Sequence, residues 1–500
     1  MKHRRLRYVI SGLLVVALCA VGSSAALSKT TGSDDTLTIA LTGDITDFDP
    51  HTNSLVSYFS TIRRTVFSSL VRFDSQMRLR PDLALKWTSD PRATRFTFTL
   101  RTNARFQDGT PVTAQSVVAS IQRLIKKKSP MSSRVASVKS AVAVNPRTVR
   151  ITLKTPNAAF LAEVSDVAII APSSFSSARS KPVGSGPFRF VKWTPNSEIV
   201  LERNDAYYGT KPQVGSLIFK PIPDPQITLG NLKSGEVDVF AEPTSNVMAS
   251  TKGNGLKVVR PTKGSGSVVT LELGTTRGKL SDVRVRQALA YALDKTAIRK
   301  IVYSDLGGIS YWGPTPPVSF AFTPISGYPY NLARAAALIK QAGAEGFSFT
   351  YETPAGYPDG VETAKIWQQG LKKIGVNMKI RVSELSIWLD KYNSRNFDAT
   401  WNFYEGGPDP SVWYSAMWPQ IKNGGYQNAL IDKLAPKAVA TSNQELRKRL
   451  YHQLDSAVVK DLPIIVVQSR PLGAIAQDHV RGLQVAATGI LIFDHVRLAS

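Results

Sequence analysis

The chain has 500 residues, room for two to four compact lobes at roughly 100–200 residues each. Hydrophobic residues make up 43% and charged residues only 20%, which argues against both a disordered chain and a coiled coil. Lysine and arginine total 62 against 37 acids, a formal charge of +25, and the single cysteine and five histidines exclude a disulfide framework, a Cys-rich zinc site and an iron–sulfur cluster.

The N-terminus reads as an export signal. Lys2, Arg4, Arg5 and Arg7 form a basic start, residues 9–21 are apolar but too short to span a bilayer comfortably, and Ser23 and Ala25 suit the small-x-small cleavage rule. The expected signal peptide is 1–26. An uncleaved anchor is the bland alternative. A lipid anchor on Cys19 is disfavoured, because Leu18 stands where lipoprotein signals want Gly or Ala. Removing the four signal charges from +25 leaves +21, on a mature chain without cysteine, which suits an oxidising compartment outside the cytoplasm. Residues 28–35 read as a flexible leader. Beyond the N-terminus no charge-free run of 18 apolar residues occurs.

Strand and helix patterns then alternate. Leu37-Thr38-Ile39-Ala40-Leu41 and Phe96-Thr97-Phe98-Thr99-Leu100 alternate apolar and polar residues, as half-buried strands do. Val285, Ala288, Leu289, Ala292 and Leu293 have helical spacing behind an expected N-cap serine, Ser281. Asn331 caps a helix carrying Ala335, Leu338, Ile339 and Ala342, and Gly343 ends it. Residues 361–373 form a third helix stopped by Gly375, followed by the alternating strand Val376, Met378, Ile380 and Val382, the αβ half of a βαβ unit. Residues 464–467 form a short buried strand. Pro/Gly-rich joints at 182–187, 221–225, 263–266 and 313–317 mark lobe boundaries or corners. Residues 101–157 hold eleven Lys or Arg against the single acid Asp108.

Local catalytic motifs are missing. There is no Gly-x-Ser-x-Gly elbow, Walker loop or Gly-x-Gly-x-x-Gly opening a helix, and His51, His452 and His479 lack metal-ligand spacing. They read as surface or packing histidines. No enzyme activity, no cofactor and no metal site are expected.

Residues 79–124 carry Pro81, Leu83, Ala84, Trp87, Phe98, Leu100, Arg101, Phe106, Asp108, Gly109, Pro111, Thr113, Ala114 and Val117. This pattern resembles the signature region of the family 5 solute-binding proteins, the peptide/nickel-type receptors of ABC importers. Asp108-Gly109 is a turn dipeptide and Thr113 can cap the next helix, so the local physics agrees. Further resemblances follow in family order: Asp47-Phe48-Asp49-Pro50-His51, Gly184-Ser185-Gly186-Pro187-Phe188, Leu232-Lys233-Ser234-Gly235-Glu236-Val237-Asp238, and the run from Asp282 to Asp294. They span about residues 37–483.

The resemblance implies an α/β, periplasmic-binding-protein-like type II fold. Two main lobes would meet at a hinge, with a smaller inserted lobe: lobe Ia at 36–65, 185–265 and 470–500, lobe Ib at 66–184, and lobe II at 266–469. Ligand contacts made by both main lobes at once would favour a closed state. It also implies site residues. Glu405 lies beside the family position of an acid that pairs with a ligand α-ammonium, Trp401 and Tyr404 precede it, and Asp44 matches an acidic contact of some oligopeptide-binding relatives. Asp409 either joins the site or caps the following helix, and Asp49 turns the chain before Pro50. Residues 350–360 contain no Arg or Lys, unlike dipeptide-binding relatives, which argues against a strict dipeptide receptor. Expected partners are a small peptide or peptide-like ligand and ABC importer permease subunits. The chain is expected to act as a monomer without nucleic acid, with contact to an anionic membrane or wall surface left open. Alternatives are a nickel chelate, opine or oligosaccharide ligand, or a basic cell-surface protein binding anionic polymers.

Overall fold

The structure, a computed structural model, describes residues 35–52, 57–251, 253–307 and 311–499. The expected signal peptide and Cys19 lie outside the described residues.

Thr36–Leu41 forms a strand because its residues alternate, and it runs through the middle of a seven-stranded sheet. The order is Leu256–Val259, Ala474–Gln477, Val239–Ala241, Thr36–Leu41, Ser216–Pro221, Glu198–Arg203 and Phe188–Thr194. Thr36–Leu41 pairs in parallel with both neighbours. Leu37, Ile39 and Leu41 enter one core with Phe59, Ile62, Phe188 and Phe219, while Ala40 faces a second with Leu232, Phe240 and Ile475. The period-two pleat makes this division.

A four-stranded antiparallel sheet follows, ordered Ala84–Ser89, Arg95–Leu100, Thr148–Leu153 and Val138–Asn145. Phe96, Phe98 and Leu100 point into its core, where helix Ala114–Lys127 adds Val117, Ile121 and Leu124. Thr113 caps that helix in a reciprocal capping box with Ser116, as expected. Gly109 takes φ +85°, the left-handed conformation the Asp108-Gly109 turn requires.

A five-stranded sheet completes the fold: Asn377–Ser383, Ser348–Pro354, Ala399–Glu405, Ser267–Leu273 and Ile464–Ser469. Ser348–Pro354, helix Pro358–Lys372 and the parallel strand Asn377–Ser383 form the expected βαβ unit, with Gly375 at φ +76° in the turn. Asn331 caps Leu332–Gln341 through Arg334 N–H. The helix read behind Ser281 requires a correction. It runs Val283–Tyr291 and its cap is Asp282, whose carboxylate accepts from Arg284 N–H at 2.8 Å. Ser281 instead ends a preceding 3-10 turn, Gly278–Ser281. Asp294 starts a separate helix, Lys295–Ile301, so Leu293 belongs to the joint.

The chain passes from the seven-stranded to the five-stranded sheet through 263–266 and returns after Ile464–Ser469 at Arg470. The passages lie side by side, with Arg470 N–H donating to Ser267 O at 2.9 Å. Elsewhere the five-stranded body touches both others: Ala158 N–H donates to Val439 O at 2.8 Å and Ser304 Oγ to Asn246 Oδ1 at 2.7 Å. Asp35–Ser500 is accordingly one compact unit. No described helix is long and apolar enough to cross a membrane.

Candidate functional site

The strand Ala399–Glu405 ends where the chain passes between sheets. In its register Ser267 faces Glu405, and Ser267 begins the strand that leaves the passage. Gly266 makes this junction tight. Its N–H donates to Ala487 O at 2.7 Å, its carbonyl accepts from Gly406 N–H at 3.2 Å, and a Cβ there would lie 2.3 Å from Gly406 O. Glu405 is thereby held at the wall of a cavity of about 120 Å³ to which all three sheet bodies contribute.

One wall carries Glu405, Gly406 and Gly407. The same cavity is lined by Arg63 and Arg64 from helix Ser57–Val66, Arg134, Asp166, and Phe73 and Asp74 from the hairpin beside the four-stranded sheet. Burial and the neighbouring Glu242 carboxylate push the Glu405 carboxyl up to about 7, against the opposing pull of Arg470. The residue is half-buried because its tip borders the cavity. Arg470 also faces Asp359 at 3.9 Å and stacks on Phe403 at 4.9 Å.

The other sequence-predicted residues lie elsewhere. Trp401 is 1% exposed and packs in the core beneath helix Pro358–Lys372. Tyr404 points to the other sheet face, where its hydroxyl donates to Glu272 Oε1 at 2.6 Å beside Tyr392 and Arg395. Asp44 accepts from Trp193 Nε1 at 3.2 Å and Asn196 N–H at 2.7 Å. Asp409 accepts from Ser411 N–H at the start of helix Ser411–Asn423 and binds Arg447 through two 2.7 Å bonds. None of these four borders the cavity, whereas Glu405 does. Asp49 does turn the chain, accepting from His51 N–H, but it is also fully buried against Arg123 at 2.6 Å and Lys127 at 3.2 Å. Hydrogen bonds and these two cations hold its carboxyl at about 2 despite burial. His51 is a buried packing histidine that contacts Ala168 O at 2.9 Å.

Sequence reasoning missed Arg63, Arg64, Arg134 and Arg470. Arg470 had a legible signal: it follows a buried strand and precedes Pro471, where a chain leaves a sheet. The other three come from segments about 70 residues apart, and only the fold joins them. Among the described residues no group of His, Cys, Asp and Glu is arranged to hold a metal ion.

Residues 78–426 match the family described as bacterial extracellular solute-binding proteins, family 5 middle. The oligopeptide-binding protein AppA of Bacillus subtilis is 27% identical over 443 residues, 80% of either chain. The dipeptide-binding protein of Escherichia coli is 26% identical over 536 residues, 98% of either chain. Among solved structures, NikZ of Campylobacter jejuni in complex with Ni(L-His) superposes with TM-score 0.79 at 25% identity, covering 92% of this chain and 98% of that one. DppA of Helicobacter pylori in complex with the peptide STSA gives TM-score 0.79 at 24% identity, covering 93% and 98%. A family match over more than two thirds of the chain, joined to the fold shared with these solved structures, makes this protein a member of the family 5 bacterial extracellular solute-binding proteins.

Proposed function

We propose that the chain is an exported, monomeric receptor that captures a peptide or peptide-like solute between its lobes and delivers it to the permease subunits of an ABC importer, with no catalytic step. Lobe Ia would be 36–65, 185–265 and 470–500, lobe Ib 66–184 and lobe II 266–469. The passages at 263–266 and Arg470 would be the hinge. Relatives named for oligopeptide and dipeptide binding support this ligand class.

The observation that carries the reading is Glu405. A carboxylate borders a cavity between the sheets, is pushed up by burial, and faces a second acid in Glu242. A ligand ammonium entering there would add a cation beside Glu405 and form a charge-assisted hydrogen bond. That bond, made only when the lobes are shut around the solute, would supply the differential affinity that favours closure. Calorimetric titration of peptides of two to five residues, each beside its N-acetylated form, tests it. Acetylation removes the cation and should weaken binding by about 2 kcal/mol or more, some thirtyfold. Equal binding of both forms would refute the role of Glu405, and no binding by any peptide would refute the ligand class.

A further inference from the structure

The basic stretch 101–157, with eleven Lys or Arg against Asp108 alone, divides in the structure. Arg123 and Lys127 reach the buried Asp49 at 2.6 Å and 3.2 Å, and Arg134 reaches Asp166 at 3.1 Å. Lys139 and Arg150 form no ion pair among the described residues. They belong to the four-stranded sheet, whose strands carry one cation each, Lys86, Arg95, Lys139 and Arg150, and no acid. All four are exposed. Asp90, in the turn between the first two strands, is engaged in that turn, accepting from Thr94 Oγ1 at 2.6 Å and Arg95 N–H at 2.8 Å.

The strand register gathers these charges on one side. Phe98 and Val149 pair and face the core, so the next pair, Thr97 and Arg150, faces out. Arg95 pairs with Thr152 and Lys86 with Thr99 on the same side, and Arg150 meets Val142 of the edge strand Val138–Asn145. Helix Ala114–Lys127 packs on the other face, with Val117, Ile121 and Leu124 in the core. On the edge strand Val142 and Val144 are each 45% exposed. The result is a solvent-facing sheet surface of cations, threonines and protruding valines.

A surface with one sign of charge attracts anions. A soluble polyanion would satisfy the cations and leave the valines in water. The headgroup layer of an anionic bilayer offers phosphates to Lys and Arg and an apolar margin to the valines, so it fits both features at once. We propose that this outer sheet face is a docking surface for an anionic phospholipid bilayer, with the four cations at headgroup phosphates and Val142 and Val144 entering the layer beneath them. The contact is independent of solute capture, because none of these residues borders the cavity at Glu405.

The test is vesicle flotation of the chain from Leu27 onward, which keeps the compact unit Asp35–Ser500 whole and lacks the basic, apolar start that would itself seek lipid. Vesicles of phosphatidylcholine alone are set against vesicles in which a third of the lipid is phosphatidylglycerol, at about 0.1 M and about 0.5 M salt. The expected result is partition into the phosphatidylglycerol vesicles only, weakened by salt, and weakened about 25-fold in Lys86→Gln/Arg150→Gln at about fivefold per charge. Val142→Ser/Val144→Ser should weaken it at both salt levels. Lys372→Gln/Lys373→Gln, which removes two exposed cations of the five-stranded body, should leave it in place. Equal partition into both vesicle types, or none into either, would overturn the proposal. An equal loss in Lys372→Gln/Lys373→Gln and Lys86→Gln/Arg150→Gln would also overturn it, since net charge would then act without a defined face. Binding to inorganic polyphosphate without vesicle binding would assign the face to a soluble polyanion and overturn the lipid. Melting curves check each variant, and Arg95→Gln/Lys139→Gln replaces the first pair should that pair not fold.

Discussion

Binding of an amine-bearing peptide should be switched off by mild acid. Burial, with Glu242 beside it, pushes the Glu405 carboxyl from the ordinary 4.5 up to about 7. A ligand ammonium prefers the ionised carboxylate, so binding competes with protonation below that value. The α-amine of a peptide loses its proton above about 7.7–8.0, which sets an opposing alkaline limb. Affinity should therefore follow a bell with its maximum near pH 7.4. Multiplying the two ionised fractions gives about 0.5 at the maximum and about 0.03 at pH 5.5, a loss of about 15-fold or ~1.6 kcal/mol. Titration calorimetry of Ala-Ala-Ala at fixed ionic strength from pH 5.5 to 8.5 reads this directly. Glu405→Gln should bind more weakly at pH 7.4 and lose the acid limb. Folding stability gives an independent sign. Because the folded-state carboxyl is raised, the folded state holds the extra proton between about 4.5 and 7, and this group's contribution to stability is lost as pH rises through that window. An affinity that stays flat between pH 5.5 and 7.4 in the wild type would refute the argument.

Three further outcomes concern the frame around the cavity. Asp455 accepts from Tyr414 and Thr315 with no cation beside it, and burial pushes it from 3.8 up to about 7. Its contribution falls as pH rises through 4–7, so Asp455→Asn should be more stable than wild type at pH 8 by about 2–4 kcal/mol in urea unfolding, and an equally steep pH dependence in the variant would count against this. Arg447→Met strands the buried Asp409 carboxylate and should cost about 3–5 kcal/mol, read as a lowered denaturation midpoint. Gly370→Ala places a Cβ 2.2 Å from Ala292 O between two helical segments, and should cost about 1–3 kcal/mol with an unchanged urea slope.

Periodicity and capping made much of the fold legible. Thr113, Asn331 and Gly375 act locally, through atoms a few residues away, so their roles can be read from neighbouring letters. The cap at Asp282 was harder to place because Ser281 and Asp282 are both good caps, and only the turn Gly278–Ser281 decides between them. At the site the pleat explains what a motif could not. Trp401 and Phe403 share a face with Glu405, but Trp401 packs beneath the helix Pro358–Lys372 and Phe403 against Tyr357 just before it, while Glu405 lies past that cover at the strand's end. Tyr404 faces the other way, where Glu272 gives its hydroxyl a buried acceptor. A run of aromatic letters ending in an acid does not say where the core stops. The arginine wall is illegible for a different reason: no local pattern links Arg64 to Arg134.

Arg470 offers the sharpest discrimination between an electrostatic and a structural role at this junction. Its guanidinium pulls the Glu405 carboxyl down while Glu242 and burial push it up, and its own charge is favoured by Asp359, Glu405 and Glu242. Arg470→Gln removes the charge but leaves the backbone bond to Ser267 intact. One unit charge at several ångströms in an effective dielectric near 20 is worth about one pH unit, so the acid limb of peptide binding should move up by about that much. A merely structural arginine would lower the melting temperature and leave the midpoint of that limb in place. A midpoint that stays put or moves down would show that Arg470 does not set the charge state of Glu405.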